Sequence, residues 1–291
     1  MRILLPGGCG YLGSQLTTHL LGAGHSVFIL DPGWFGCKLP DHWNLKKVDE
    51  VPDGMEAVVY LAGLTNDSEC QKKPEAAEKA NITEFEKILW QTKDIRPFIY
   101  LSSVAAYGNS STPFLEKDPL KPTTVYGEQK KFCENMLPKD VTILRPAGVF
   151  GPSPRMRFDL TVNRMVRDAF KQGKIHVHGG SQWRPHVHIH DLIDTIIFFL
   201  TTKHSGVYNV AYDNQTVLET AERIKKVIPC EISIEARGDD RTYRVSSKKL
   251  ERLGVICGRS VEAGAREMLQ RFKAGYWKDC YSDGAMNVVT L

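Results

Sequence analysis

The chain has 291 residues, a formal net charge of +4, and 42% hydrophobic and 25% charged residues, an ordinary make-up for a globular protein that buries a core. No block of Lys and Arg is dense enough for a nucleic-acid surface, and the apolar run at 196–200 is far too short to span a membrane. Seven cysteines, odd in number and without C-x-x-C spacing, indicate neither a disulfide framework nor a zinc knuckle, and no signal peptide precedes the glycine loop, so a cytoplasmic location is expected.

The chain opens on Ile3-Leu4-Leu5, stopped by Pro6 and followed by Gly7, Gly10 and Gly13 at every third position. This predicts a buried strand, a glycine turn and a helix N-terminus whose free N–H groups hold a pyrophosphate. Side chains at those glycines would collide with the phosphates or with the strand beneath the helix. The next apolar run, 27–30, ends at Asp31, where a carboxylate can accept hydrogen bonds from an adenine-ribose diol. Continuous apolar runs at 57–62, 98–101 and 141–144 read as buried parallel strands, with helical patterns at 14–21, 74–90 and 125–136 between them. The expected fold is α/β, a doubly wound parallel sheet of Rossmann type with a smaller mixed C-terminal lobe for substrate. That lobe is predicted from a helix over 158–172, a strand over 174–178 and helices near 191–200, 217–227 and 261–273. The expected division is a dinucleotide-binding domain over 1–152 with parts of 174–215, a substrate lobe mainly over 153–275, and an irregular tail over 276–291.

Tyr126 and Lys130 lie four residues apart on the helix predicted over 125–136 and so share one face. An ammonium one turn away favours the phenolate of a tyrosine, whose ordinary pKa is ~10. A lone Tyr-x-x-x-Lys is also common on solvated helix faces. Leu101-Ser102-Ser103-Val104-Ala105, directly after a predicted strand, changes the balance, because Ser103 can there share a substrate hydroxyl with the tyrosine.

Taken together and in this order, the motifs resemble the extended short-chain dehydrogenases/reductases of the nucleotide-sugar epimerase/dehydratase family over nearly the whole chain. The resemblance sets Gly7, Gly10, Tyr11, Leu12, Asp31, Leu61, Ala62, Gly63 and Asn81 against the cofactor and makes Ser103, Tyr126 and Lys130 the catalytic set. It implies NAD as cofactor, a nucleotide-diphosphate sugar as substrate and no metal; Asp31 disfavours the 2′-phosphate of NADP. Tyr126 would take a proton from a sugar hydroxyl as its hydride moves to NAD. Ser103 would hydrogen-bond that hydroxyl, and Lys130 would anchor the nicotinamide ribose and depress the Tyr126 pKa. Arg184 resembles the arginine that grips the sugar-nucleotide diphosphate; Asn163 and Arg241 are further substrate candidates, and Arg155 and Arg157 can meet a diphosphate. Family members commonly pair through two helices, here those over 74–90 and 125–136, so a homodimer is expected.

The chain also departs from the pattern. Family dehydratases and decarboxylases carry a further acid or base just after the serine or threonine, where this chain has Val104 and Ala105. Gly148 stands where many members have an asparagine. The leading expectation is therefore an NAD-dependent epimerase acting through a transient keto sugar. A reductase or dehydrogenase of a nucleotide-linked keto sugar is the alternative, and a non-catalytic nucleotide sensor is a third reading from another class. His186, His188 and His190 alternate, and on a strand they would share one face, though a metal site there is the lesser reading. Trp34 and Phe35 either stack near the adenine or pack their loop.

Overall fold

A computed structural model describes residues 1–236 and 241–288. The first half runs β1 (Arg2–Pro6), α1 (Tyr11–Gly22), β2 (Ser26–Leu30), β3 (Leu45–Lys47), β4 (Ala57–Tyr60), α2 (Asp67–Lys72), α3 (Pro74–Glu78), a π-helical turn (Lys79–Thr83), α4 (Glu84–Gln91), β5 (Phe98–Leu101), a short β6 (Pro113–Phe114), α5 (Val125–Met136) and β7 (Thr142–Pro146). The second half continues with β8 (Gly148–Phe150), α6 (Thr161–Gln172), β9 (Lys174–His178), β10 (Trp183–His188), α7 (Ile189–Thr201), β11 (Gly206–Val210), β12 (Asp213–Thr216), α8 (Val217–Lys225), β13 (Glu231–Glu235), β14 (Arg244–Val245), α9 (Lys248–Glu251), α10 (Val261–Lys273) and α11 (Asp283–Met286).

Seven parallel strands form the main sheet in the order β11-β7-β5-β4-β1-β2-β3. Their apolar runs are continuous because both faces are covered. Ile3 and Leu5 enter one core while Leu4, Val58 and Tyr60 enter the other. Chain direction across the sheet reverses between β1 and β4, the switch point outside whose carboxyl ends ligands of such sheets bind. The fold class is as expected.

Several boundaries differ. The strand at 174–178 does not join the main sheet; β9 pairs with β13 in the second lobe. What returns to the main sheet is α7, packed against α1 and β5, and β11, paired with β7. The helix expected from 158 starts at Thr161, because Arg155, Arg157 and Phe158 are drawn into the protein before it. The described part of the tail is mostly irregular but is not detached. It contains α11, Trp277 packs edge-on against Phe158 and Phe272, and the Phe158 N–H donates to the Ala285 carbonyl at 2.7 Å. Cys9 and Cys37 form a disulfide and five cysteines are free, which corrects the expectation of no disulfide. The odd count hid a single bridge between the glycine loop and the loop after Asp31. Among the described residues, no helix is long and apolar enough to cross a membrane.

Candidate active site

A cavity of about 900 Å³ opens along the carboxyl ends of β1, β2, β4 and β5 and is closed on the far side by the second lobe. Gly7, Gly10, Tyr11, Leu12, Asp31, Leu61, Ala62 and Gly63 line one half, as expected. Gly7 has φ +84°, and a Cβ there would lie 2.6 Å from the Ala62 nitrogen, so only glycine lets β1 turn this close to β4. No side chain caps α1 and no acidic residue occupies its first turn, leaving the N–H groups at its start for a phosphate. Asp31 accepts from the Cys9 N–H at 2.9 Å and from the Gly33 N–H at 2.7 Å, fixing the glycine loop against its own turn. This half has the donors and the carboxylate that a dinucleotide needs.

Of the expected cofactor contacts, Tyr11 has its hydroxyl engaged by the second lobe and Asn81 lies outside the lining. The Tyr11 hydroxyl donates to the Gly151 carbonyl at 2.7 Å and accepts from the Asn163 amide at 3.2 Å, so its ring braces the second lobe. Asn81 is buried in the π-helical turn, accepting from the Leu64 N–H at 2.6 Å and donating to Gln129 at 2.6 Å. It shapes the loop after β4 from beneath instead of lining the cavity.

Ser103 and Tyr126 meet at the middle of the cavity. Thr124 caps α5 by accepting from the Gly127 N–H at 3.1 Å. A Cβ on Gly127 would fall 2.6 Å from the Ala105 carbonyl, so this glycine lets α5 press its first turn onto the short 3-10 turn Val104–Ala106. Ser103 accepts from the Ala105 N–H at 3.1 Å, which leaves its proton to donate, and its hydroxyl lies near the Tyr126 phenol. One turn on, Lys130 is buried and donates to the Leu101 carbonyl at 2.8 Å and the Tyr100 hydroxyl at 3.3 Å.

The electrostatics differ from the sequence expectation. Burial pushes the Tyr126 phenol up from its ordinary value and Asp67 adds to this, while Arg157 and the nearby Ser103 hydroxyl oppose it. Burial also pulls Lys130 down to about 8. The charge that favours the phenolate here is therefore Arg157, from the second lobe. Behind the wall, Glu134 accepts from the Ser102 hydroxyl and pairs with Arg145 at 2.5 Å; Arg145 also donates to the Tyr107 hydroxyl at 2.8 Å.

From the lobe side, Arg155, Arg157, Arg184 and Arg241 line the cavity. Arg157 pairs with Asp159 at 2.5 Å and donates to Thr65 at 2.6 Å. Arg241 pairs with Asp67 at 2.5 Å; its neighbours Asp239 and Asp240 lie outside the described residues. Arg184 donates to the Trp183 carbonyl at 2.9 Å and to the Arg241 carbonyl, and its guanidinium sits over Tyr243, whereas Trp183 carries Arg244. Asn163, expected on the cleft face, is fully buried and accepts from the Gly151 N–H at 3.1 Å. Trp34 and Phe35 both line the cavity, with Phe35 committed to Arg155.

The histidines do not share a face. β10 ends at His188, and His190 is already in α7. His186 lines the cavity, and burial holds it neutral by lowering its pKa to about 4. Ligand atoms of His188, His190 and Glu267 lie within 4.8 Å of one another. The His188 Nδ1 accepts from the His190 N–H at 3.3 Å, its Nε2 lies 3.4 Å from a Glu267 carboxylate oxygen, and His190 pairs with Gln15 at 3.2 Å. Arg157, Asp67 and Gly127 are site-shaping residues to which sequence reading gave little weight. For Gly127 a signal existed, since a glycine directly after the tyrosine marks close packing of the helix start.

A family model described as "NAD dependent epimerase/dehydratase family" matches residues 3–211. The UDP-glucose 4-epimerase of Lactobacillus helveticus is 27% identical, the match covering 86% of this chain and 89% of that protein. UDP-glucuronic acid decarboxylase 1 of Danio rerio is 25% identical, with 87% and 68% covered. UDP-N-acetylglucosamine 4-epimerase from Methanobrevibacter ruminantium M1, solved with UDP-N-acetylmuramic acid, has a TM-score of 0.84 at 24% identity, covering 94% of this chain and 98% of that one. UDP-glucuronic acid 4-epimerase from Bacillus cereus, solved with UDP-glucuronic acid and NAD, has a TM-score of 0.83 at 21% identity, covering 95% and 100%. At these identities the solved structures share the fold.

Proposed function

The chain belongs to the NAD dependent epimerase/dehydratase family, and from that premise we propose that it epimerises a nucleoside-diphosphate sugar through a transient keto sugar. The observation that carries this reading is the Ser103–Tyr126 pair in the cavity with Val104 and Ala105 directly after the serine. That arrangement can move one proton at a sugar hydroxyl, but the two following side chains supply no second acid or base for elimination or decarboxylation.

NAD is the cofactor, and when bound it accepts a hydride from the sugar and can return it. Gly7, Gly10 and the start of α1 would hold its phosphates, and Asp31 its adenine ribose. Tyr126 takes the hydroxyl proton as the carbonyl forms and gives it back to the same oxygen as the carbonyl is reduced from its opposite face. Ser103 donates to the same oxygen and fixes its position. Lys130 orients the turn at Leu101 and would anchor the nicotinamide ribose, while Arg157 favours the phenolate. Arg184 and Arg241 bind the sugar-nucleotide diphosphate, for which a guanidinium supplies paired donors.

The test is to incubate the purified protein with a panel of UDP-, GDP-, CDP- and dTDP-sugars and follow products and NADH together. An inverted sugar with no net NADH is expected. Stoichiometric NADH with a keto sugar would favour the oxidoreductase reading, and released carbon dioxide would overturn both. A homodimer through α4 and α5 is supported by Trp90, 73% exposed, and Phe132, 46% exposed, on those helices. Light scattering at micromolar concentration tests it. A role in carbohydrate biosynthesis in the cytoplasm accords with such a substrate.

A further inference from the structure

Among the four described arginines that line the cavity, Arg155 has a different environment. Arg157 and Arg241 each face a carboxylate. Arg155 is 4% exposed. Its Nη2 donates to the Gly284 carbonyl at 2.9 Å and to the Asn287 side-chain oxygen at 2.8 Å, and its Nε has no partner. The Phe35 ring covers the guanidinium at 4.8 Å. Among the described residues no carboxylate forms an ion pair with it. Asp31 and Asp159 attract it only through space, while burial and the nearby Arg157 charge pull its pKa down to about 10. A buried cation in this state calls for an anion.

Its surroundings indicate which anion. The Arg155 N–H donates to the Ser14 hydroxyl at 3.4 Å, and the Ser153 hydroxyl donates to the Tyr11 carbonyl at 2.6 Å, so this stretch lies on the first turn of α1. Phe35 belongs to the loop after Asp31, which the Cys9–Cys37 disulfide ties to the glycine loop. The guanidinium is thus bracketed by the elements that would receive the phosphates and the adenine ribose. We propose that Arg155 is a cofactor ligand that neutralises the diphosphate of NAD, with the C-terminal segment positioning it through Gly284 and Asn287. The proposal rests on NAD dependence and not on the epimerase reading. A diphosphate also occurs in the sugar nucleotide, and the test separates the two sources.

Calorimetric titrations of the cofactor-free protein with NAD, ADP-ribose, adenosine and UDP are compared for the parent and Arg155→Met. NAD and ADP-ribose affinities should fall roughly ten- to hundredfold, the scale of one lost charge-assisted contact. Adenosine, without a diphosphate, and UDP should change less than about twofold. The melting temperature of cofactor-free Arg155→Met should be unchanged or higher, since an unpaired buried cation has been removed. Asn287→Ala should weaken NAD by a smaller factor and add nothing on top of Arg155→Met. Loss of UDP affinity with NAD unchanged would assign the guanidinium to the sugar nucleotide and overturn the proposal. A lowered melting temperature of Arg155→Met, or unchanged affinity for NAD, would overturn it too, making Arg155 a brace for the C-terminal segment.

Discussion

On the sheet side of the cavity, Ser102, Glu134 and Arg145 close a buried network behind Ser103 and Tyr126. On the lobe side, Arg155, Arg157, Arg184 and Arg241 reach the same space from separate stretches of chain. The first wall is satisfied internally: Glu134 answers Arg145, Thr124 caps α5, and the Leu101 carbonyl holds Lys130. On the second, among the described residues, Arg155 has no carboxylate partner and its Nε is unsatisfied. On the reading proposed above, the first wall would keep a fixed geometry for one proton transfer, with Arg157 of the second wall acting on the phenol, and the second wall would receive phosphates.

The contrast can be broken at its base. Glu134→Ala leaves the Arg145 charge buried and unpaired, and urea denaturation should show a loss of about 3–5 kcal/mol; a stability close to the parent would show that the sheet-side wall does not depend on this network. Tyr126→Phe should lower turnover by a factor on the order of 10² or more with NAD binding nearly intact. Turnover within tenfold of the parent would remove the phenol from its role. On the other wall, Arg184→Ala should raise KM for the sugar nucleotide about ten- to hundredfold and leave NAD affinity alone. Equal losses for both ligands would point to a folding defect and blur the division between the walls. Asp31→Ala should weaken NAD by about tenfold, one charge-assisted contact, and narrow the gap to NADP; an unchanged preference would place the ribose contact elsewhere. The smallest effect is a count. Unfolded without reductant, the protein should titrate five thiols, rising to seven after reduction. Seven thiols at the outset would remove the bond between the glycine loop and the Phe35 loop and favour a reducing compartment.

The sheet-side wall was legible because its parts are close in sequence. Gly7 to Gly13, Ser103, and Tyr126 with Lys130 each sit at a strand end or on one helix face, where local spacing dictates neighbourhood. Asn81 was placed in the right element but the wrong layer, because spacing does not say whether a side chain points into a cavity or under it. Asn163 failed for the same reason, its amide being spent on Gly151 and Tyr11.

The sequence by itself determined the parallel sheet, the glycine turn at its switch point and the placing of Ser103 at a strand end and of Tyr126 and Lys130 on one helix, since apolar periodicity and glycine spacing act over a few residues. Only the tertiary structure decided which charge acts on Tyr126, that Cys9 meets Cys37, and that the tail returns to hold Arg155. Each of these joins residues far apart in the chain. Their effects depend on burial and on distances between elements, and both are set by how the second lobe packs on the sheet.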